Sequence, residues 1–222
     1  MSNPISSRGR PKDTEREEKA RQSLLNVTQE LLKHKPYSEI SIREIAGKAE
    51  LNSAMISYYF GGKEGLFFHL IERGIGDEAF GKLDSFTTDD TVPAIEKLYF
   101  LIETFVGLHQ NHPWLSRLVI DQIILKKGKL RDLFIKNIVE RNNKLVIHII
   151  DELKASGFFR EDLSTEYART SLISLMAFPF IAAPMLKEAV GVDPYKEERK
   201  QWAQHTFKLF IQGCQNSSGG IL

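Results

Sequence analysis

Residues 41–66, SIREIAGKAELNSAMISYYFGGKEGL, restrict the fold of this chain more than any other stretch. They parse as two short helices joined by a tight turn, followed by the start of a third. Ser41 with Glu44 forms a capping box, so a helix should open near Ile42. Ile42, Ile45, Ala46 and Ala49 give that helix one apolar face. Asn52 or Ser53 can cap the next helix through a side-chain oxygen. Ile56, Tyr59 and Phe60 then turn inward, which leaves Ser53, Met55, Ser57 and Tyr58 outward. Gly61 and Gly62 break that helix, and Lys63 opens another that runs through Leu66, Phe67 and Leu70. Two short helices at a steep angle, the second with small polar and aromatic residues outward, describe a helix-turn-helix reader of the major groove.

A helical hairpin inside a larger bundle would have the same spacing, so the residues themselves must decide. Ser57 to Leu66, SYYFGGKEGL, resembles the Y-x-Y-F…K-x-x-L run of the TetR family of bacterial transcriptional regulators. The resemblance extends over roughly residues 14–70. Two positions depart from it. Glu50 stands in the turn where the family usually has Gly, which relaxes backbone strain there. Ser57 stands where the family often has Tyr. The resemblance implies that Ser41, Arg43, Ser53, Ala54, Met55, Ser57, Tyr58, Tyr59 and Lys63 face double-stranded DNA, with phosphate contacts at Tyr58 and Tyr59. For Tyr59, core packing is the alternative. Arg43 points away from the apolar face, and its fork matches guanine O6 and N7. Lys63 sits at a helix N-terminus, a place that already favours an anion such as phosphate.

Charge placement bears on the same question. The chain's formal net charge is only +1, so attraction to DNA must come from local clusters. Arg8, Arg10 and Lys12 precede the first acid, Asp13. Ser7-Arg8-Gly9-Arg10-Pro11 resembles the core of an AT-hook, whose Arg side chains enter a narrow A·T-rich minor groove. A basic tail giving nonspecific attraction is the alternative. Cys214 is the sole cysteine, which excludes an intrachain disulfide and agrees with a reducing cytoplasm. No apolar run approaches the roughly 18 residues of a membrane span. The N-terminus has no hydrophobic signal segment.

The spacing predicts an all-α chain of about nine helices. Residues 1–12 read as a flexible basic arm and 13–62 as a three-helix DNA-binding domain. Residues 63–213 read as a helical-bundle regulatory and dimerisation domain, entered through a connecting helix over 63–83, and 214–222 as a frayed tail. The first helix should span Thr14 to Lys35, with Leu24, Thr28, Leu31 and Leu32 inward. Gly74, Gly76 and Gly81 should weaken the second half of the connecting helix. Thr91 should cap a helix that runs to Asn111, and Pro113 should start another. Residues 129–156 carry two apolar stripes, so that helix should be contacted from several sides. A helix from Thr165 should be disturbed near Pro179 and Pro184, and the last should run from Pro194 to Gln212.

Within this layout a regulatory cavity and a core need the same residue types. The expected effector contacts are Phe105, Trp114, Leu118, Met176 and Phe180, with Gln122 and His148 as isolated polar groups that orient the ligand. The helices from Thr165 and Pro194 should form a homodimer interface through Leu172, Ala203, Phe207 and Phe210. His109 and His112 have a spacing that can share a metal, but a third ligand such as Asp121 would have to be imported, so no metal site is expected. No cofactor motif or nucleophile–base set stands out, which argues against an enzyme. The expected partners are a palindromic DNA operator, a second copy of the chain and a small, largely apolar effector, with no membrane. Two other readings remain at this stage: a constitutive architectural DNA-binding protein, and a helical enzyme or lipid carrier.

Overall fold

A computed structural model describes residues 11–75, 81–87 and 89–216. Arg8, Arg10 and Gly76, with residues 217–222 of the expected tail, lie outside the described residues. The described chain is all-α and contains no strand beyond an isolated bridge between Phe159 and Gln215. It divides into two compact units, residues 1–70 and 71–222. The expected boundary at 62/63 therefore moves to 70/71, because the first two turns of the fourth helix complete the core of the first unit.

In that unit α1 (Pro11–His34) starts at a proline, whose fixed φ suits the first helical turn. The expected arm thus loses its last two residues to the helix. Leu24, Thr28, Leu31 and Leu32 are all buried, and Thr28 donates its hydroxyl to the Leu24 carbonyl at 2.7 Å. A short 3-10 turn (Tyr37–Glu39) leads to α2 (Ile42–Lys48), α3 (Ala54–Phe60) and α4 (Lys63–Ile75). Ile45, Ile56, Leu66, Phe67 and Leu70 close the core. Ile42, expected inward, is 36% exposed, because it lies in the first turn beyond the reach of α1.

In the second unit α5 (Gly81–Thr87) precedes α6 (Ala94–Asn111). The single helix expected over 63–83 is thus described as α4 and α5, with residues 76–80 outside the description. Asp89, not Thr91, organises the turn before α6, accepting from the Thr91 N–H and hydroxyl. α7 (Pro113–Val119) widens into a π turn over Ile120–Ile124, where the Leu125 N–H reaches the Ile120 carbonyl at 3.1 Å. α8 (Lys129–Phe134) widens likewise over Ile135–Val139 before continuing as α9 (Glu140–Ala155).

α10 (Thr165–Ile181) carries Pro179 and meets α11 (Ala183–Ala189) at a 69° bend. No single helix among the described residues is long and apolar enough to cross a membrane. α12 (Arg199–Cys214) packs along α6 and begins later than expected. Cys214 is buried, and its carbonyl accepts from the Arg160 N–H at 3.0 Å, which anchors the start of the expected tail. Gly74 faces the His112 ring, where an added Cβ would sit at an ordinary 3.6 Å.

Candidate DNA-reading surface and effector cavity

The α2–turn–α3 hairpin is built largely from its own backbone. Ser41 caps α2 by accepting from the Glu44 N–H at 3.1 Å. Asn52, one of the two expected caps, accepts from the Ala54 N–H at 2.8 Å, whereas Ser53 makes no capping bond. α2 ends in a Schellman arrangement: the Leu51 N–H bonds the Ala46 carbonyl at 2.9 Å and the Glu50 N–H bonds that of Gly47 at 3.2 Å. That arrangement needs a left-handed residue, and Glu50 occupies it at φ 55°. At the far end of α3, Gly61 is left-handed at φ 68°. Four residues on, Gly65 lies so close to α3 that a Cβ there would sit 1.7 Å from the Phe60 carbonyl oxygen.

This frame leaves one side open. Arg43, Ala54, Ser57 and Tyr58 are exposed, with Tyr58 at 73%, while Ser53, Met55 and Tyr59 are half-buried. Behind them, Arg21 of α1 donates to the Tyr59 carbonyl at 3.1 Å, and its guanidinium lies 5.0 Å from the Phe60 ring centre. Lys63 has a partner within the chain. Its ammonium donates to the Tyr37 carbonyl at 2.8 Å and lies 4.0 Å over the Tyr37 ring. Burial, aided by the charge of Glu64, pushes the Tyr37 phenol up to about 12. Lys63 therefore ties α4 to the 3-10 turn.

The second unit holds a partly open cavity of about 240 Å³ between α6, α7, α8–α9 and α10. Its wall is mostly aliphatic, and none of its residues is Asp, Glu, Lys or Arg. Val119, Phe134, Ile138 and Val139 line it where the chain enters or lies within its two π turns. Such turns displace side chains from the regular α register and recur at functional sites. His109 and Ser116 are the buried polar residues on this wall, and the Ser116 hydroxyl accepts from the Tyr195 hydroxyl at 3.2 Å. The His109 ring stacks on Phe105 with centroids 4.3 Å apart, lies 4.9 Å from Phe180, and bonds through Nδ1 to the Phe105 carbonyl at 3.0 Å. Burial, the largest cause, pushes its pKa down to about 4.

A family profile described as bacterial regulatory proteins, tetR family, matches residues 24–70, the segment that forms this hairpin and its supports. A curated relative, "Probable HTH-type transcriptional regulator YttP" of Bacillus subtilis (strain 168), is 27% identical over 188 residues, covering 80% of this chain and 89% of that protein. Residues 24–70 are thus a DNA-binding domain of the tetR family type. The solved structures agree in fold. The FadR regulator of Bacillus subtilis in complex with stearoyl-CoA superposes with a TM-score of 0.71 at 18% identity, over 86% of this chain and 98% of that one. A putative regulator from Saccharomonospora viridis in complex with choline gives 0.68 at 21%, over 89% and 98%. The proteins this chain matches are transcriptional regulators, not enzymes.

In the C-terminal unit the residues expected at an effector separate into three groups. Phe105 and Met176 line the cavity. Trp114, Leu118 and Phe180 are buried outside its wall, Phe180 as the backing of the His109 ring. Gln122 is half-buried in a π turn, and His148 is turned to solvent, 3.2 Å from Glu152. The heptad position of His148 is apolar-flanked in sequence, but its side of α9 stays uncovered. His109, Thr104, Asn142 and Asn143 supply polar groups that the sequence reading missed. Asn142 was legible as a gap in the stripe between Ile138 and Leu145.

The expected interface residues also need correction. Leu172, Ala203 and Phe210 belong to the subunit's own core, because the inner faces of α10 and α12 pack on α6. Phe207 is half-buried against Tyr99, ring centres 5.4 Å apart. The apolar residues these helices leave outside are Tyr167, Ile173, Leu175, Phe178 and Leu209, of which Ile173 also borders the cavity. Among the described residues no group of three or more His, Cys, Asp or Glu is arranged to hold a metal.

Proposed function

We propose that this regulator is a ligand-responsive repressor. It binds a palindromic operator as a homodimer and leaves it when a small, largely apolar effector fills the cavity of the C-terminal unit. The observation that carries this reading is a largely apolar cavity in the same chain as an outward-facing α3. One recognition helix reads too few base pairs for a unique site, so two are needed, about 34–36 Å apart or a multiple of that. Arg43 reads a base, Tyr58 and Tyr59 hold phosphates, and Ser41, Ser53, Ala54, Met55 and Ser57 line the groove. Arg8 and Arg10 add minor-groove contacts. The outward faces of α10 and α12, through Tyr167, Leu175, Phe178 and Leu209, are the dimer surface. Exposed apolar rows of this kind are costly in a monomer. The protein acts in the cytoplasm, where its operator is.

An effector moves the equilibrium only by its differential affinity for two states; a swing from 1:99 to 99:1 takes about 5.5 kcal/mol. The solved regulators bound to stearoyl-CoA and to choline support a small-molecule effector here as well. Selection of bound duplexes from random DNA, followed by sedimentation with and without the selected site, tests the DNA and dimer parts. A palindrome bound by two chains is expected; sequence-independent binding by a monomer would overturn the reading. A compound panel scored by thermal shift and by operator release separates a responsive repressor from a constitutive DNA-binding protein.

A further inference from the structure

We infer that the cavity is built for a small, uncharged effector that donates a hydrogen bond to His109 Nε2. This rests on the reading of the cavity as the effector site. The charge argument comes from the wall, where an ion of either sign would lose its water and meet no counter-charge. The donor argument comes from His109, which is only 8% exposed. A carbonyl can only accept, so the Nδ1 bond to the Phe105 carbonyl fixes the proton on Nδ1. The stacked, buried ring stays neutral at pH 7. Nε2 is then the free lone pair of a residue that lines the cavity, and it makes no hydrogen bond with the described residues.

Asn142 and Asn143 extend this polar end. Their amides also make no hydrogen bond with the described residues. Lys97 of α6 meets Glu152 of α9 at 3.3 Å, and Leu101 to His109 share the cavity with Ile138 to Val146, so the two helices run antiparallel. That register sets Asn142 and Asn143 at the His109 end of the cavity. The opposite end, around Leu101 and Leu83, is aliphatic. The size, about 240 Å³, falls between a ~150 Å³ site that takes benzene and the ~300–1,000 Å³ of drug-sized sites. The favoured occupant is therefore a compact apolar body with a hydroxyl or N–H at one end.

The test is calorimetric titration of the full chain at neutral pH with four eight-carbon probes. These are octanol, its isomer heptyl methyl ether, octanoate and octylammonium. Octanol should bind about 5-fold or more tighter than the ether, the worth of one hydrogen bond to a buried acceptor. Both ions should bind at least about 30-fold more weakly than octanol. His109→Leu should erase the preference for octanol over the ether; if it folds poorly by near-ultraviolet dichroism, His109→Phe makes the same test. Ala177→Phe, which fills the cavity, should abolish octanol binding. Equal affinity for octanol and the ether in the unmodified protein would overturn the inference. So would an ion binding as tightly as octanol, no binding by any probe, or octanol binding that survives Ala177→Phe. Operator affinity is measured beside each titration. Selective octanol binding that leaves operator affinity unchanged would uphold the chemistry assigned to the cavity and overturn its role as the effector site.

Discussion

The two units of this regulator keep their chemistry in opposite places. The N-terminal unit presents it outward, on α2 and α3, within a run of fewer residues than one long helix pair. Its interior serves only to hold that surface: Gly65 lets α4 press on α3, Arg21 clasps the Tyr59 carbonyl, and Lys63 clasps Tyr37. The C-terminal unit turns its chemistry inward and gathers it from Leu83 through Ile181. Its outward faces carry apolar rows instead. A surface made by a local hairpin tolerates little change in backbone, whereas a cavity between helices tolerates side-chain change but not a buried charge.

The largest effects should therefore come from charging the inward and outward faces of the C-terminal helices. Phe210 is 3% exposed and Phe178 is 55% exposed. Phe210→Asp should cost upwards of about 4 kcal/mol, from a lost aromatic and an unpaired buried carboxylate, and should leave little folded C-terminal unit. Phe178→Asp should keep the thermal midpoint within a few degrees while producing monomers with poor operator binding. Dichroism and sedimentation read the pair. A folded monomer from Phe210→Asp, or a stable dimer from Phe178→Asp, would reverse the assignment of the two faces.

Acid should separate the units next. His109 sits near 4 in the folded chain against an ordinary value of 6.5. Between those values the unfolded chain binds a proton that the folded chain refuses. Stability is thus full above about pH 6.5 and falls as pH drops toward 4, by about 3 kcal/mol. Burial also lowers His112, which acts in the same direction. Both tryptophans, Trp114 and Trp202, lie in the C-terminal unit, so their fluorescence reports its urea midpoint. The midpoint should fall between pH 7 and pH 4.5, and His109→Leu should flatten that fall. An unchanged slope in the variant would remove His109 as the acid-sensitive group.

The same contrast explains what the sequence made legible. Capping residues, Gly61 and the buried positions Ile45, Ile56 and Phe60 follow from local spacing, so the hairpin could be read residue by residue. The capping role of Asn52 and the outward Tyr58 were within reach for the same reason. The clasp of Lys63 on Tyr37 was out of reach, because that partner is 26 residues away and binds through a backbone carbonyl. In the C-terminal unit the helices were legible but their neighbours were not. Phe105 and Phe180 are alike in sequence, yet one lines the cavity and the other supports a ring behind it. Periodicity gives the apolar face of α10 and α12 and is silent on whether that face meets its own chain or another.

In the hairpin, one methyl group should matter more than most side chains. Gly65→Ala places a Cβ against backbone, which cannot rotate away, so α3 or α4 must shift. A cost of about 2–3 kcal/mol is expected, with operator affinity lost in parallel. Gly47→Ala is the matched control: its Cβ would meet nothing within 4 Å in the last turn of α2. It should gain up to about 1 kcal/mol from helix propensity. Equal behaviour of the two variants would mean that the α3–α4 approach is not tight.

At the DNA surface the effect should be smaller and sequence-dependent. Arg43→Ala should cost about 1–3 kcal/mol at the selected operator and relax preference at one base pair per half-site. Lys63→Ala should instead lower the thermal midpoint, through loss of the Tyr37 clasp, and weaken all duplexes alike. Binding to operator and random duplex, measured at several salt concentrations, separates the two. The same loss on both duplexes for Arg43→Ala would remove it as a base reader.

The smallest effect tests the one departure from the family pattern that the backbone makes visible. Glu50 holds φ 55° at the end of α2, in the position where a Schellman turn favours Gly. A left-handed L-residue costs roughly 1–2 kcal/mol. Gly would remove that cost but add about 0.5–1 kcal/mol of entropy to the unfolded chain. Glu50→Gly should thus gain about 0.5 kcal/mol, a small rise in thermal midpoint. Glu50 is also an exposed anion in the turn leading to the DNA-facing helix, so its removal should tighten binding to every duplex and steepen the salt dependence. Glu50→Asn separates the two effects, since Asn is neutral but tolerates the left-handed region. If Asn raises DNA affinity as much as Gly does, the charge is the cause. If only Gly raises it, relaxation of the turn is the cause, and Glu50 has been tuning the angle at which α3 leaves α2.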